Sequence, residues 1–173
     1  MNSKISSLKE KMKQALTSTM RVISDDFKIK DQKIKNTNEK SEILSIESLS
    51  GPQDFIRLRA DFDSKALEKK FSNSDVFKNS IPKNSSCRPL YTIAEKTRYE
   101  LLGSQMLKGI KKNLSENYYQ KIELKRDRKI NTKDDVQVTE AFELYMLKNF
   151  QKIKLNSISE KTLSFWEKDF DKS

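Results

Sequence analysis

Residues Ala94 to Leu114 read AEKTRYELLGSQMLKGIKKNL. Together with the residues just before it, this stretch carries two apolar seams at three- and four-residue steps. Leu90, Ile93, Ala94, Thr97 and Leu101 form one; Tyr99, Leu102, Gly103, Met106, Ile110 and Leu114 form another, displaced around the axis. The spacing predicts one helix over 90–129, and two seams predict a neighbour on each flank. Two of the chain's three glycines, Gly103 and Gly109, fall inside it. A glycine in a helix interior costs roughly 0.5–1 kcal/mol against alanine, so something must offset it. Gly103 on the second seam, with Gly109 beside it, would let another backbone approach closely. A helix contacted on two sides is the centre of an all-α bundle.

Outward from this centre, the periodicity predicts about five helices. Ile5, Leu8, Met12, Ala15, Leu16, Thr19 and Ile23 give an amphipathic first helix over 1–24. The segment 27–49 loses that period, and its alternation around "NTNEK" predicts a short hairpin or ordered loop. Pro52 suits the first position of a second helix over 52–72, whose apolar side is Phe55, Ile56, Ala60, Phe62, Ala66, Leu67 and Phe71. Residues 73–89, rich in Asn and Ser that compete with the backbone for hydrogen bonds, read as a connector. Asp135 is the expected cap of a fourth helix over 135–152, with Val138, Phe142, Tyr145, Met146 and Phe150 facing inward. Ser157 and Glu160 have capping-box spacing for a last helix over 157–173, with Leu163, Trp166 and Phe170 at helical steps. No glycine or asparagine closes that helix at Ser173, so the chain is expected to be cut there. All of this is expected within a single domain, 1–173.

The totals agree with a folded helical chain. At 173 residues it could bury about 70% of the surface its unfolded form exposes. Three glycines and three prolines leave few of the punctuators that hairpins need. The net charge of +10 comes mostly from lysine scattered along the whole length. A nucleic-acid surface usually gathers arginine on one face for bidentate contacts, so specific nucleic-acid binding is not expected. Were it present, Lys108, Lys111, Lys112, Lys121, Lys125, Arg126 and Arg128 would carry it. One cysteine, Cys87, and no histidine exclude an internal disulfide and a cysteine–histidine nucleophile pair, and fit a reducing cytoplasm. Met1 to Met20 has no apolar run of the signal-peptide kind, and no stretch approaches the roughly 18 apolar residues of a membrane span.

Catalytic, cofactor-binding and metal-ligating sets are all missing. Glycines at 51, 103 and 109 cannot build a phosphate loop. Asp25 with Asp26, and Asp61 with Asp63, lack the further oxygen ligands that a hard cation needs, and read as solvated carboxylates. The sequence points instead to charged residues that set helix pairing or a partner's docking. Glu95 and Arg98 are three apart on one helical face and can pair.

The run Glu95-x-x-Arg98-x-Glu100-x-x-Gly103, continued by Met106, Gly109, Asn113 and Leu114, resembles the E-Q-A-R-x-E-x-x-G segment of the CobT subunit of aerobic cobaltochelatase. Arg59 to Leu67, "RADFDSKAL", is similar to that family's R-G-x-x-D-x-x-A-L, at the same distance upstream. "TSTMRVISDD" sits where the family begins, and "TEAFELYMLKNF" and Trp166 match its later helices in order. Ala60 replaces a family glycine, and Ser72-Asn73 stand where a His-Asp pair lies. The likeness covers nearly the whole chain but only the amino-terminal region of a longer protein, whose acidic linker and von Willebrand A-type domain, with its metal-dependent adhesion loop, are not in this sequence. The resemblance implies a non-catalytic part of an ATP-dependent machine that inserts cobalt into a corrin ring. Its expected partners are an AAA+ ATPase subunit (CobS-like) and a large chelatase subunit (CobN-like), with self-association left open. ATP, magnesium and cobalt would belong to the complex and not to this chain. Arg59, Asp63, Glu95, Arg98 and Glu100 are the expected docking or pairing residues, with Gly103 and Gly109 on the seam.

Overall fold

The computed structural model describes residues 2–28, 49, 51–125 and 127–172. Their secondary structure is helical throughout, as expected of an all-α chain. The hairpin or loop expected at 27–49 lies, apart from its edges, outside the described residues. Packing divides the chain into two compact units, Met1–Phe71 and Ser72–Ser173, where the sequence suggests a single domain.

The first unit pairs α1 (Asn2–Ser24) with α2 (Pro52–Phe71). Leu16 of α1 buries against Leu58 and Phe62 of α2, with Met20 and Leu49 packed alongside. Leu58 lies off the expected apolar side yet is wholly buried, whereas Phe55 on that side is exposed. Thr17, also wholly buried, keeps its hydroxyl satisfied by donating to the Lys13 carbonyl four residues back at 2.9 Å. α1 ends at Asp25, whose φ of 56° is a left-handed position that aspartate tolerates better than most residues. Lys70 pairs with Asp25 and Lys69 approaches Asp26 at 3.6 Å, so two acids that the sequence reads as solvated carboxylates are partnered by the last turn of α2.

The second unit holds α3 (Ser74–Ser80), α4 (Arg88–Met106), α5 (Lys108–Glu123), α6 (Val138–Asn149), α7 (Ser157–Ser164) and α8 (Glu167–Phe170). Its main departure from expectation is at Leu107. The helix expected over 90–129 is two helices, because Leu107 adopts an extended backbone, φ −132° and ψ 110°. Glu100 and Tyr118 are hydrogen-bonded at 2.6 Å, although one straight helix would hold them about 27 Å apart along its axis. α5 therefore turns at Leu107 and packs back on α4. Folding back resolves the two seams: Tyr99 and Gly103 of α4 and Ile110, Leu114, Tyr118 and Ile122 of α5 are all buried. α4 has α5 on one side and α6 on another, so the expected two neighbours are present, one of them its own continuation.

Smaller differences have local causes. The connector over 73–89 contains α3, because the Asn73 side chain accepts the amides of Asp75 at 3.0 Å and Val76 at 3.1 Å and so caps a helix. Asp135 does cap, but it closes a 3-10 turn over Lys133–Asp135, accepting the Thr132 amide at 2.8 Å, and α6 starts later at Val138. The inward face of α6 is Ala141, Leu144 and Leu147; Phe142 and Tyr145 instead pack on Phe170 of α8, with ring centroids 5.3 and 5.4 Å apart, and Phe150 is exposed. Asn156, not Ser157, caps α7 by accepting the Ser159 amide at 2.9 Å. The last helix breaks at Phe165 and Trp166, which bury with Ile158 and Phe170 against Ile130, Val136 and Ala141.

Candidate functional site

The Glu-x-x-Arg-x-Glu run lies on α4, where Glu95 and Glu100, five residues apart, project about 140° from each other around the axis. The two carboxylates therefore face different surroundings. Glu95 is gripped by Arg98, whose Nε donates to Oε2 and Nη2 to Oε1, both at 2.7 Å. The Ser72 hydroxyl donates to Glu95 Oε1, also at 2.7 Å, tying the segment just before α3 to the middle of α4. The Arg98 bonds hold the Glu95 carboxyl below its ordinary range; partial burial opposes this and Ser72 adds to it. The Arg98 side chain stays 47% exposed. The pair is thus a fixed surface feature and not an ion pair sealed between helices.

Glu100 is different: it is 1% exposed. Its Oε2 accepts from the Tyr118 hydroxyl at 2.6 Å and from Gln151 Nε2 at 3.1 Å, while Lys96 Nζ stands 3.9 Å from Oε1. Burial, reinforced by the Glu100 charge, pushes the Tyr118 phenol well above its ordinary value, so it remains a donor. Lys96 and Lys121 lie over the Tyr118 ring, 5.9 and 5.6 Å from its centroid. One carboxylate thereby joins α4, α5 and the segment after α6.

Glu95, Arg98, Glu100 and Gly103 share α4. Arg59 and Asp63 belong to α2 in the first unit, where Arg59 Nε approaches the buried Asp63 carboxylate at 3.4 Å. Gly103 is buried and its carbonyl accepts the Leu107 amide at 3.0 Å, closing α4. Gly109 is exposed, and a Cβ there would meet nothing within 4 Å. It sits in the first turn of α5 and not mid-helix, so it grips no neighbour. Of the basic residues that a polyanion would use, Lys125 and Arg128 bind Glu140 at 2.8 and 2.6 Å, Lys121 covers Tyr118, and Arg126 lies outside the described residues.

Tyr118, Gln151 and Asn156 escape the sequence reading. Asn156 caps α7 through Oδ1 and donates from Nδ2 to the Ile122 carbonyl at 3.0 Å, tying the end of α5 to α7. The only sequence signal for Tyr118 is its place four residues after Leu114 on the buried stripe of α5; for Gln151 there is none, since it follows α6 outside any period.

Over residues 6–173 the chain matches the family described as cobalamin biosynthesis protein CobT. The chain belongs to the CobT family. No curated protein and no solved structure matches it. The Glu95–Arg98–Glu100–Gly103 run that resembles a CobT segment is the stretch of α4 carrying both polar clusters. Among the described residues, no helix is long and apolar enough to cross a membrane.

Proposed function

We propose that this CobT-family chain is a non-catalytic subunit region of an ATP-dependent cobaltochelatase, acting in the cytoplasm as an assembly surface for the AAA+ ATPase subunit and the large chelatase subunit during cobalt insertion into the corrin ring. Family membership along nearly the whole chain supports the pathway. The observation that carries the assembly role is the division of labour on α4: Glu100 is consumed by internal hydrogen bonds, whereas Glu95, itself held by Ser72, fixes the Arg98 guanidinium at the surface. A guanidinium held in place loses less freedom on meeting a partner carboxylate than a free one does. ATP, magnesium and the cobalt cargo enter through the other subunits.

The test is co-purification of the chain with the AAA+ subunit encoded by the same organism, wild type against Arg98→Ala, once circular dichroism shows both to be folded. Retention of the ATPase by wild type and its loss from the variant is the expected result. Absence of binding by either protein overturns the reading. The basic nucleic-acid alternative draws less support, because Lys125 and Arg128 are already engaged by Glu140.

A further inference from the structure

The turn between α4 and α5 leaves two large apolar side chains in water. Met106 is 57% exposed and Leu107 46%, while Ile110 and Leu114 on the next turns are buried. The cause is the fold-back itself: the extended backbone that lets α5 return along α4 also places Leu107 on the outside of the elbow. Beyond it, Lys108, Lys111 and Lys112 are all exposed. Spaced three and four apart, they share one face of α5, and Tyr119, also exposed, continues that face two turns on. The first turn of α5 carries no acidic residue; one turn on, Glu116 stands 3.8 Å from Lys112, a pair that leaves Lys112 75% exposed.

We propose that this elbow is a docking site for an acidic, amphipathic segment of a partner protein, its apolar residues covering Met106 and Leu107 and its carboxylates meeting Lys108, Lys111 and Lys112. Charge complementarity decides the occupant. Two adjacent exposed apolar residues followed by exposed lysines fit a partner that brings both carboxylates and apolar side chains. A nucleic acid would use the lysines but has nothing to cover Met106 and Leu107, and lysine lacks the fork that arginine offers a phosphate. The site lies apart from Arg98 in sequence and does not depend on which subunit supplies the segment, so it stands or falls separately from the chelatase assignment.

The probe is a fluorescein-labelled peptide of about four helical turns, with leucine on one face and glutamate on the other, titrated with the purified chain and followed by anisotropy. Comparison probes are the same peptide with every leucine replaced by serine, and a single-stranded oligothymidine. Binding of the amphipathic peptide is expected, weakened about tenfold or more by Met106→Ser with Leu107→Ser, and lost on reversal of Lys108, Lys111 and Lys112 to glutamate. Val76→Ser, at another exposed apolar position on α3, should leave it unchanged. If the serine variant melts early, the charge-reversed variant, altered only at exposed positions, decides the matter. Equal affinity for the leucine-free peptide, tighter binding of oligothymidine, or indifference to both variants each overturns the proposal.

Discussion

Glu95 and Glu100 are the same residue type on the same helix, yet one is an internal fastener and the other a surface clasp. Glu100 is almost wholly buried and draws its partners from three places in the chain, Lys96 on α4, Tyr118 on α5 and Gln151 after α6. Glu95 draws on Ser72 and on Arg98 one turn ahead, and leaves the guanidinium in solvent. Burial, not identity, separates the roles. A carboxylate removed from water must be met by donors or it destabilises the fold, whereas an exposed one can be spent on orienting a neighbour. A motif that reads as a single unit in sequence is thus two devices on different faces.

The strongest way to break this contrast is to remove the buried carboxylate. Glu100→Ala strands the Tyr118 hydroxyl and the Gln151 amide without their shared acceptor, and should lower stability by about 3 kcal/mol. Urea unfolding checks this as a shift in midpoint at unchanged slope. Glu100→Gln keeps one acceptor oxygen but turns an NH2 toward donors, and should cost about half as much. A loss below about 1 kcal/mol for the alanine variant would place the fastening of α4 to α5 elsewhere.

The two glycines sharpen the comparison, because the same residue type again sits in two environments. Gly103 is buried on α4, and Gly103→Leu should destabilise by about 1–3 kcal/mol through overpacking. Gly109 has open space around its absent Cβ and no positive φ. Gly109→Ala should therefore raise stability by about 0.5 kcal/mol, chiefly by restricting the unfolded chain. Because the chain turns at Leu107 and leaves Gly109 outside the packed seam, thermal melts of the two variants should shift in opposite directions. A continuous helix with Gly109 on a packed seam would make both substitutions harmful.

What was legible in the sequence follows the range of the interactions responsible. Helical period located α1, α2 and the α4–α5 stretch because each buries an apolar stripe against a neighbour, and that stripe is written in consecutive residues. The break at Leu107 was hidden because its cause is tertiary: the apolar steps of α4 and α5 run on in phase, and only the return of Tyr118 to Glu100 shows that the axis turns. Gly109, two residues past the break, is in hindsight the local trace of it. The face of α6 is not legible because Phe142 and Tyr145 are large enough to look like core, yet the aromatic partner that takes them, Phe170, is contributed by α8. Glu95 and Arg98 were legible as a pair at helical spacing, but the burial of Glu100 was not, since its donors lie 18 and 51 residues away.

The smallest effect is the most specific. Arg98→Ala should cost only a few tenths of a kcal/mol in neutral buffer, because half-exposed ion pairs are screened and gain little. Its signature is in acid. The Arg98 bonds depress the Glu95 carboxyl below its ordinary value of 4.5, so the pair contributes stability above the unfolded value and loses it as the pH falls through the lower folded one. Glu140, also held low because Lys125 and Arg128 outweigh its burial, titrates in both proteins and drops out of the difference. Carboxyl-carbon NMR titration should therefore show Glu95 moving up toward its ordinary value in Arg98→Ala, while Glu140 stays where it was. If Glu95 instead titrated unchanged, Ser72 and the helix alone would be holding the carboxylate, and Arg98 would be a loose surface cation and not the oriented group on which the docking role relies.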